Sequence, residues 1–365
     1  MSAAALAALI EQFRRQVGSG AIVGGQLVVR RGERVLVDVA AGKARGLRDA
    51  GGLAVDVTPE TRFQVMSASK PVVSLAVAIL EDGGALDVSR PVAHYVPGFA
   101  RHGKGEVTVL DVLQYRSGVL MADFTSQPER WGDWDAVVAA MIDARPAFPR
   151  GTLAYQPHSF GWILAEVVRR VSGQLLDEFL AAKLPPSLSG LRLRYEGEAA
   201  ETYWQGARPH MLAGVDLSEK FELANNRIAA RTALVPGAGM YTTASDLAAF
   251  YQMLLRGGQT VEGHRLLSAS TLARYISVQS SGLDRNFHTY IRLGRGFAFG
   301  WPLPHFYGWF GSSPCFGHAG GFSTVAFADP KTDTAIAYVT NSNRGIPDLL
   351  RRCAPIAGAA RALVG

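Results

Sequence analysis

Cysteine is nearly absent from this chain: Cys315 and Cys353 are the only two in 365 residues. Two thiols exclude the disulfide framework that staples small secreted domains, and both read as buried, unbridged side chains. Charge is sparse as well. Asp, Glu, Lys and Arg make up 19% of the residues, below the roughly one quarter of an ordinary soluble protein, which leaves much of the chain free to form a core. No stretch approaches the ~18 uncharged apolar residues of a membrane span, so no membrane association is expected. Residues 1–10 are apolar but lack a basic leader. They run into Glu11, Arg14 and Arg15, the pattern of an amphipathic helix and not of a secretion signal. The expected compartment is cytoplasmic.

Other absences narrow the chemistry. The net charge of +6 comes from basic residues scattered as singles and as pairs such as Arg14-Arg15, Arg30-Arg31, Arg169-Arg170 and Arg351-Arg352. Nucleic-acid binding needs that charge gathered into a stripe, so no nucleic-acid partner is expected. H-E-x-x-H and C-x-x-C spacings are missing, and neither a metal nor an organic cofactor is called for. No serine sits in G-x-S-x-G, which argues against an α/β-hydrolase esterase.

What is present is a globular pattern with forty glycines and therefore many turns. Residues 22–30 and 34–40 are valine-rich and separated by Gly32-Glu33, a hairpin signal. From Ser67 to Gly83 the spacing turns helical and apolar on nearly every side, as for an element at the centre of a domain. The middle third alternates helix and loop, with helices expected at 109–114, 135–144, 160–171 and 243–255; Ser245 and Asp246 help to start the last. Strand character returns at 296–301 and in a hairpin of 322–328 and 334–340 around Asp329-Pro330-Lys331-Thr332-Asp333. A helix over 347–364 closes the chain. Strands at both ends with helices between them predict an α+β fold. Its antiparallel sheet is assembled from 1–66 and 290–365, with a mainly helical domain, 67–289, inserted and the active site at their interface.

A hydrolytic serine needs a base, a positive neighbour and backbone N–H donors for the oxyanion. Ser67-Ala68-Ser69-Lys70 is the only S-x-x-K of the chain. At a helix start it sets hydroxyl and ammonium one turn apart on one face, where the helix N-terminus favours developing negative charge. Alone the pattern is weak, since an N-capping serine beside an exposed lysine looks the same. Its setting is more telling: it follows strand-like Thr61-Arg62-Phe63-Gln64-Val65 and opens the apolar helix.

Further segments follow in a fixed order: Leu113-Gln114-Tyr115-Arg116-Ser117-Gly118, Pro149-Arg150-Gly151-Thr152-Leu153-Ala154-Tyr155, 236–247 with Gly237-Ala238-Gly239 and Asp246-Leu247, and His318-Ala319-Gly320-Gly321. Over residues 20–345 this series resembles the serine β-lactamase and penicillin-binding-protein superfamily, closest to the class C β-lactamase-like family VIII carboxylesterases; S-x-x-K is a known signature of that superfamily. The resemblance implies a β-lactamase/transpeptidase-like fold and assigns roles. Ser67 attacks the acyl carbon, and Tyr155 takes its proton as a phenolate held by Lys70. The oxyanion sits between the amides of Ser67 and Gly321.

The substrate-binding candidates are His318, Gly320, Gln156, His158, Tyr307 and Trp309. His318 stands where the β-lactamases carry Lys, and a histidine of pKa about 6.5 is mostly neutral at pH 7, which weakens anion attraction. Pro157 stands two residues after Tyr155, where class C β-lactamases have an Asn that contacts the lysine and the substrate amide. The aromatic segment 303–310 is a candidate wall for an apolar pocket. Together these features predict a serine carboxylesterase acting on small-molecule esters of short-to-medium acyl chains through an acyl-Ser67 intermediate. A β-lactamase or D-Ala-D-Ala peptidase, an acyltransferase and a non-catalytic scaffold on the same fold remain as alternatives. The oligomeric state does not follow from the sequence.

Overall fold

The computed structural model describes residues 2–48, 53–205, 211–212, 215–216, 222, 225–321 and 323–364. Among them, nine strands form an antiparallel sheet: β1 (Gly24–Arg31), β2 (Arg34–Arg45), β3 (Val55–Asp56), β4 (Ser280–Leu283), β5 (Tyr290–Leu293), β6 (Ala298–Phe299), β7 (Phe316–Gly320), β8 (Thr324–Asp329) and β9 (Thr334–Thr340). Their spatial order is β3-β2-β1-β9-β8-β7-β6-β5-β4. The N-terminal hairpin thus joins the C-terminal strands through β1 and β9, which pair from Gly25↔Thr340 to Arg31↔Thr334. Ser280–Leu283 enters the sheet before the boundary expected at 290.

Both faces of the sheet are covered, so β8 and β9 are buried at every position. Five helices matter for the argument: α1 (Ala3–Gly18), α2 (Lys70–Asp82), α3 (Ser159–Ser172), α4 (Ala244–Leu255) and α5 (Ile346–Ala362). On one face Val28, Ala326, Ala335, Ala337 and Val339 belong to the core that contains α2, α3 and α4. The alanines leave room for α4 to lie close over β1, β8 and β9. On the other face Leu27, Val29, Val325, Phe327, Ile336 and Tyr338 meet Leu9 and Phe13 of α1 and Leu349 and Ile356 of α5. Each such fully buried side chain contributes about 1.5–3 kcal/mol relative to exposure.

Local chemistry sets the helix ends. In α4 the Thr243 hydroxyl accepts from the Asp246 amide while the Asp246 carboxylate accepts from Thr243, a reciprocal box in which the expected Ser245 plays no capping part. Gly173, at φ 76°, ends α3 as anticipated, its N–H bonded to the Arg169 carbonyl. The 67–83 segment is not one uniform helix. Met66–Ser69 forms a 3₁₀ turn that hands over to α2 at Lys70. Cys315 and Cys353 are buried and unbridged. No helix among the described residues is long and apolar enough to cross a membrane. Phe322, the expected start of the last hairpin, lies outside the described residues.

Candidate active site

Ser67 lies in the 3₁₀ turn, where residues three apart eclipse one another, so Lys70 stands directly above it. The Lys70 Nζ is 3.0 Å from Ser67 Oγ, 2.7 Å from the Pro157 carbonyl oxygen and 2.9 Å from that of Gly237. Lys70 is fully buried, and burial pulls its ammonium down to about 7. Its surroundings are built from two directions. Pro157 precedes α3, whereas Gly237 follows Pro236, whose carbonyl packs against Gly161 of α3 so closely that a Cβ there would sit 1.6 Å from the oxygen. Gly161 is what lets the Gly237 carbonyl reach the lysine.

Tyr155 is close enough to Ser67 for the serine hydroxyl to act on its phenol. Burial raises its phenol above the ordinary value; the Ser67 hydroxyl works against this, and the Asp284 carboxylate adds to it. Burial thus works against the phenolate that the family resemblance implies. Lys70 lies over the ring face, 5.1 Å from its centroid, and the recorded hydrogen bonds of Nζ go to Ser67 Oγ and the two carbonyls. Tyr155 stacks on Tyr115, which stacks in turn on Phe160 of α3, with centroids 5.2 and 4.9 Å apart.

Strand β7 closes the other side. Met66, just before Ser67, adopts φ 46°, a strained left-handed conformation for a side chain of its size. Its turn lies against Gly320 and Gly321. A Cβ on Gly320 would stand 2.0 Å from the Val65 oxygen, and one on Gly321 would stand 2.3 Å from Met66 Cγ. Only glycine permits this approach of β7 to the turn that carries Ser67; the family resemblance makes the amides of Ser67 and Gly321 the oxyanion donors. Neither amide donates to a turn or loop carbonyl among the described residues.

The remaining candidates divide. His318 projects from β7 toward Tyr155, with ring centroids 6.1 Å apart. Burial, then the charge of Lys70, pulls it to about 3, so it is neutral at any physiological pH. His158, also pulled to about 3 by burial and Lys70, lies among Trp131 and Trp162 at 5.0 and 5.5 Å. Three residues need correction. Gln156 is fully buried and points away, donating to Ser117 Oγ at 2.8 Å. Tyr307 is stacked on Phe327 on the α1/α5 face, across the sheet from Ser67. Trp309 follows in the same loop, which Arg361 of α5 ties down through the carbonyls of Phe310 and Gly311. Phe306 and Tyr307 of the aromatic segment are thus packing on the far face, while Leu303, Trp309 and Phe310 are exposed; the spacing announced hydrophobicity but not the side of the sheet.

Several groups were not anticipated. The carbonyls of Pro157 and Gly237 act through backbone atoms, which no residue pattern advertises. Phe287 is half exposed with its ring 5.6 Å from that of Tyr155. It follows Asp284, whose turn-forming chemistry was the one available signal. No cluster of His, Cys, Asp and Glu suited to a metal occurs among the described residues.

Comparison with known proteins agrees with this arrangement. Residues 6–360 match the family described as Beta-lactamase. The esterase/beta-lactamase LipL of Mycobacterium tuberculosis is 27% identical over 343 residues, covering 87% of this chain and 77% of its own. A penicillin-binding protein homolog from Caulobacter crescentus superposes with a TM-score of 0.82 at 26% identity, over 98% of this chain and 97% of that one. A family VIII carboxylesterase gives a TM-score of 0.78 at 25% identity, over 97% and 98%. With the match running almost end to end, the chain belongs to the Beta-lactamase family and is a serine hydrolase of the esterase/beta-lactamase fold.

Proposed function

We propose that this protein is a carboxylesterase that hydrolyses short-to-medium acyl esters of small molecules through an acyl-Ser67 intermediate. The observation that carries the reading is the set of three neighbours around Lys70 Nζ. A neutral amine has two N–H groups and one lone pair. The carbonyls of Pro157 and Gly237 accept the two hydrogens, which turns the lone pair toward Ser67 Oγ at 3.0 Å. With a pKa brought to about 7 by burial, Lys70 is poised to take the serine proton at neutral pH. Lys70 is therefore the base, and Tyr155 the proton relay.

The steps balance as follows. Ser67 Oγ attacks the ester carbonyl while its proton passes to Lys70 Nζ. The carbonyl oxygen gathers negative charge between the amides of Ser67 and Gly321, whose fixed dipoles stabilise it. The C–O bond to the alcohol then breaks, and the leaving alkoxide takes the proton of the Tyr155 hydroxyl. In the second half water attacks the acyl carbon and gives its proton to the Tyr155 oxygen, while Lys70 returns its own proton to Ser67 Oγ as the acid leaves. Phe287, beside the Tyr155 ring, stands on the alcohol side of the bond.

Two features favour esters over β-lactams. His318 is neutral and offers no cation to a substrate carboxylate. At position 157 a proline carbonyl occupies the lysine contact and leaves no side-chain amide for a substrate amide. Incubation with p-nitrophenyl butyrate, followed by intact-mass measurement, tests the proposal. A butyryl adduct that maps to Ser67 and disappears in Ser67→Ala is expected, with nitrocefin turned over far more slowly. Unmodified protein and no p-nitrophenol release would end the reading.

A further inference from the structure

Tyr155 is gripped by a turn between β4 and β5 that touches no reacting atom and begins 129 residues further on, at Asp284. Asp284 there is fully buried. One of its carboxylate oxygens accepts the Tyr155 amide at 2.6 Å and the Asn286 amide at 3.2 Å. The other accepts the Phe287 amide at 2.8 Å. The Asn286 side-chain amide donates to the Tyr155 carbonyl at 2.8 Å, so both backbone polar groups of the tyrosine are held by this one turn. The Arg285 amide donates to the Leu153 carbonyl at 3.0 Å, extending the grip along the tyrosine segment. Among the described residues no ion pair accompanies the Asp284 carboxylate. A buried carboxylate without a cation is expensive unless backbone donors satisfy it, and here the donors it uses are those of Tyr155 and of the turn itself.

We infer that Asp284, seconded by Asn286, is a positioning residue for Tyr155, fixing the phenol where it meets both Ser67 and the leaving group. The inference rests on the proposed role of Tyr155 and goes beyond it by assigning a function to a turn that touches no reacting atom. Both oxygens of Asp284 accept N–H groups, so asparagine in either orientation turns an NH₂ against a backbone donor. The isosteric change Asp284→Asn therefore disturbs the grip without altering side-chain volume. An error near 1 Å in a catalytic group costs on the order of a hundredfold in rate.

The test is a double-mutant cycle on p-nitrophenyl butyrate with Asp284→Asn, Tyr155→Phe and the pair. In the otherwise native enzyme Asp284→Asn lowers kcat about a hundredfold with KM changed less than about threefold. In the Tyr155→Phe background the same change lowers kcat by less than about threefold, because the group being positioned is gone. Asn286→Ala, at a partly exposed site, gives a smaller, equally non-additive loss of about tenfold and keeps the test open if Asp284→Asn does not fold. Equal losses in both backgrounds would overturn the inference and leave these residues structural. Wild-type protein that forms no acyl-Ser67 adduct would instead overturn the proposed function, so the two failures are distinct.

Discussion

The carbonyl oxygen of Pro157 lies 2.7 Å from the Nζ of Lys70. The resemblance to class C β-lactamases makes this the position of an asparagine side chain, yet here the main chain meets the lysine. A carbonyl accepts and never donates, so it holds Lys70 without competing for the lone pair turned toward Ser67. That contact leads to the first two predictions.

The rate of ester cleavage should follow the deprotonation of Lys70. On the acid side kcat/KM rises tenfold per pH unit and levels off near pH 7, the value to which burial brings the ammonium. Lys70→Ala removes this limb and lowers kcat by at least about a thousandfold. A pH–rate profile of wild type and variant checks both; a wild-type limb centred near pH 5 would show that another group is the base.

The same burial shapes stability. Lys70 binds its proton less tightly in the folded protein, at about 7, than at its unperturbed 10.5. Between those values the unfolded chain carries a proton that the folded protein has released, so stability rises with pH across that window. Below about 7 the contribution is flat. Relative to Lys70→Met, wild type should gain Tm as pH goes from 7 to about 9.5, measured by calorimetry in matched buffers.

Gly320→Ala should damage the site through packing alone. The added Cβ meets the Val65 oxygen at 2.0 Å and the Ala68 amide nitrogen at 2.8 Å, both backbone atoms that cannot rotate away. Either β7 or the Ser67 turn must move, at a cost of about 1–3 kcal/mol of stability and on the order of a hundredfold in kcat. Thermal melts and single-turnover acylation would report the two losses separately.

Phe287 should tune the alcohol, not the acid. Its half-exposed ring, beside Tyr155, gives an aromatic leaving group something to pack on. Phe287→Ala lowers kcat/KM for benzyl butyrate about tenfold while methyl butyrate is nearly unaffected. Lengthening the acyl chain should leave that ratio unchanged; a ratio that tracks the acyl chain would place Phe287 on the opposite side of the bond.

Part of this was already legible in the amino-acid order. Periods of two and of 3.6 located the hairpins at both termini and the helices between them. The spacing of Ser67 and Lys70, with Tyr155 in its own segment and Gly320-Gly321 on a late strand, pointed to side chains and backbone that the fold sets around Lys70 and the Ser67 turn. Such features are local: a turn brings Ser67 under Lys70 whatever else the chain does. Which side of the sheet a segment faces is not local. Tyr307 and Trp309 read as a pocket wall because an aromatic pattern records hydrophobicity but not direction; Tyr307 packs on the far face, and Trp309 follows in a loop tied to α5 with its own ring exposed. Gln156 neighbours the tyrosine in sequence yet turns inward to Ser117. The groups that orient Lys70 and Tyr155 are the Pro157 and Gly237 carbonyls and the Asp284 carboxylate. They come from segments distant in sequence, and two of them act through atoms common to every residue. Only the folded chain, by stacking α3, the 236–237 turn and the β4–β5 turn around one lysine and one phenol, decides what those atoms do.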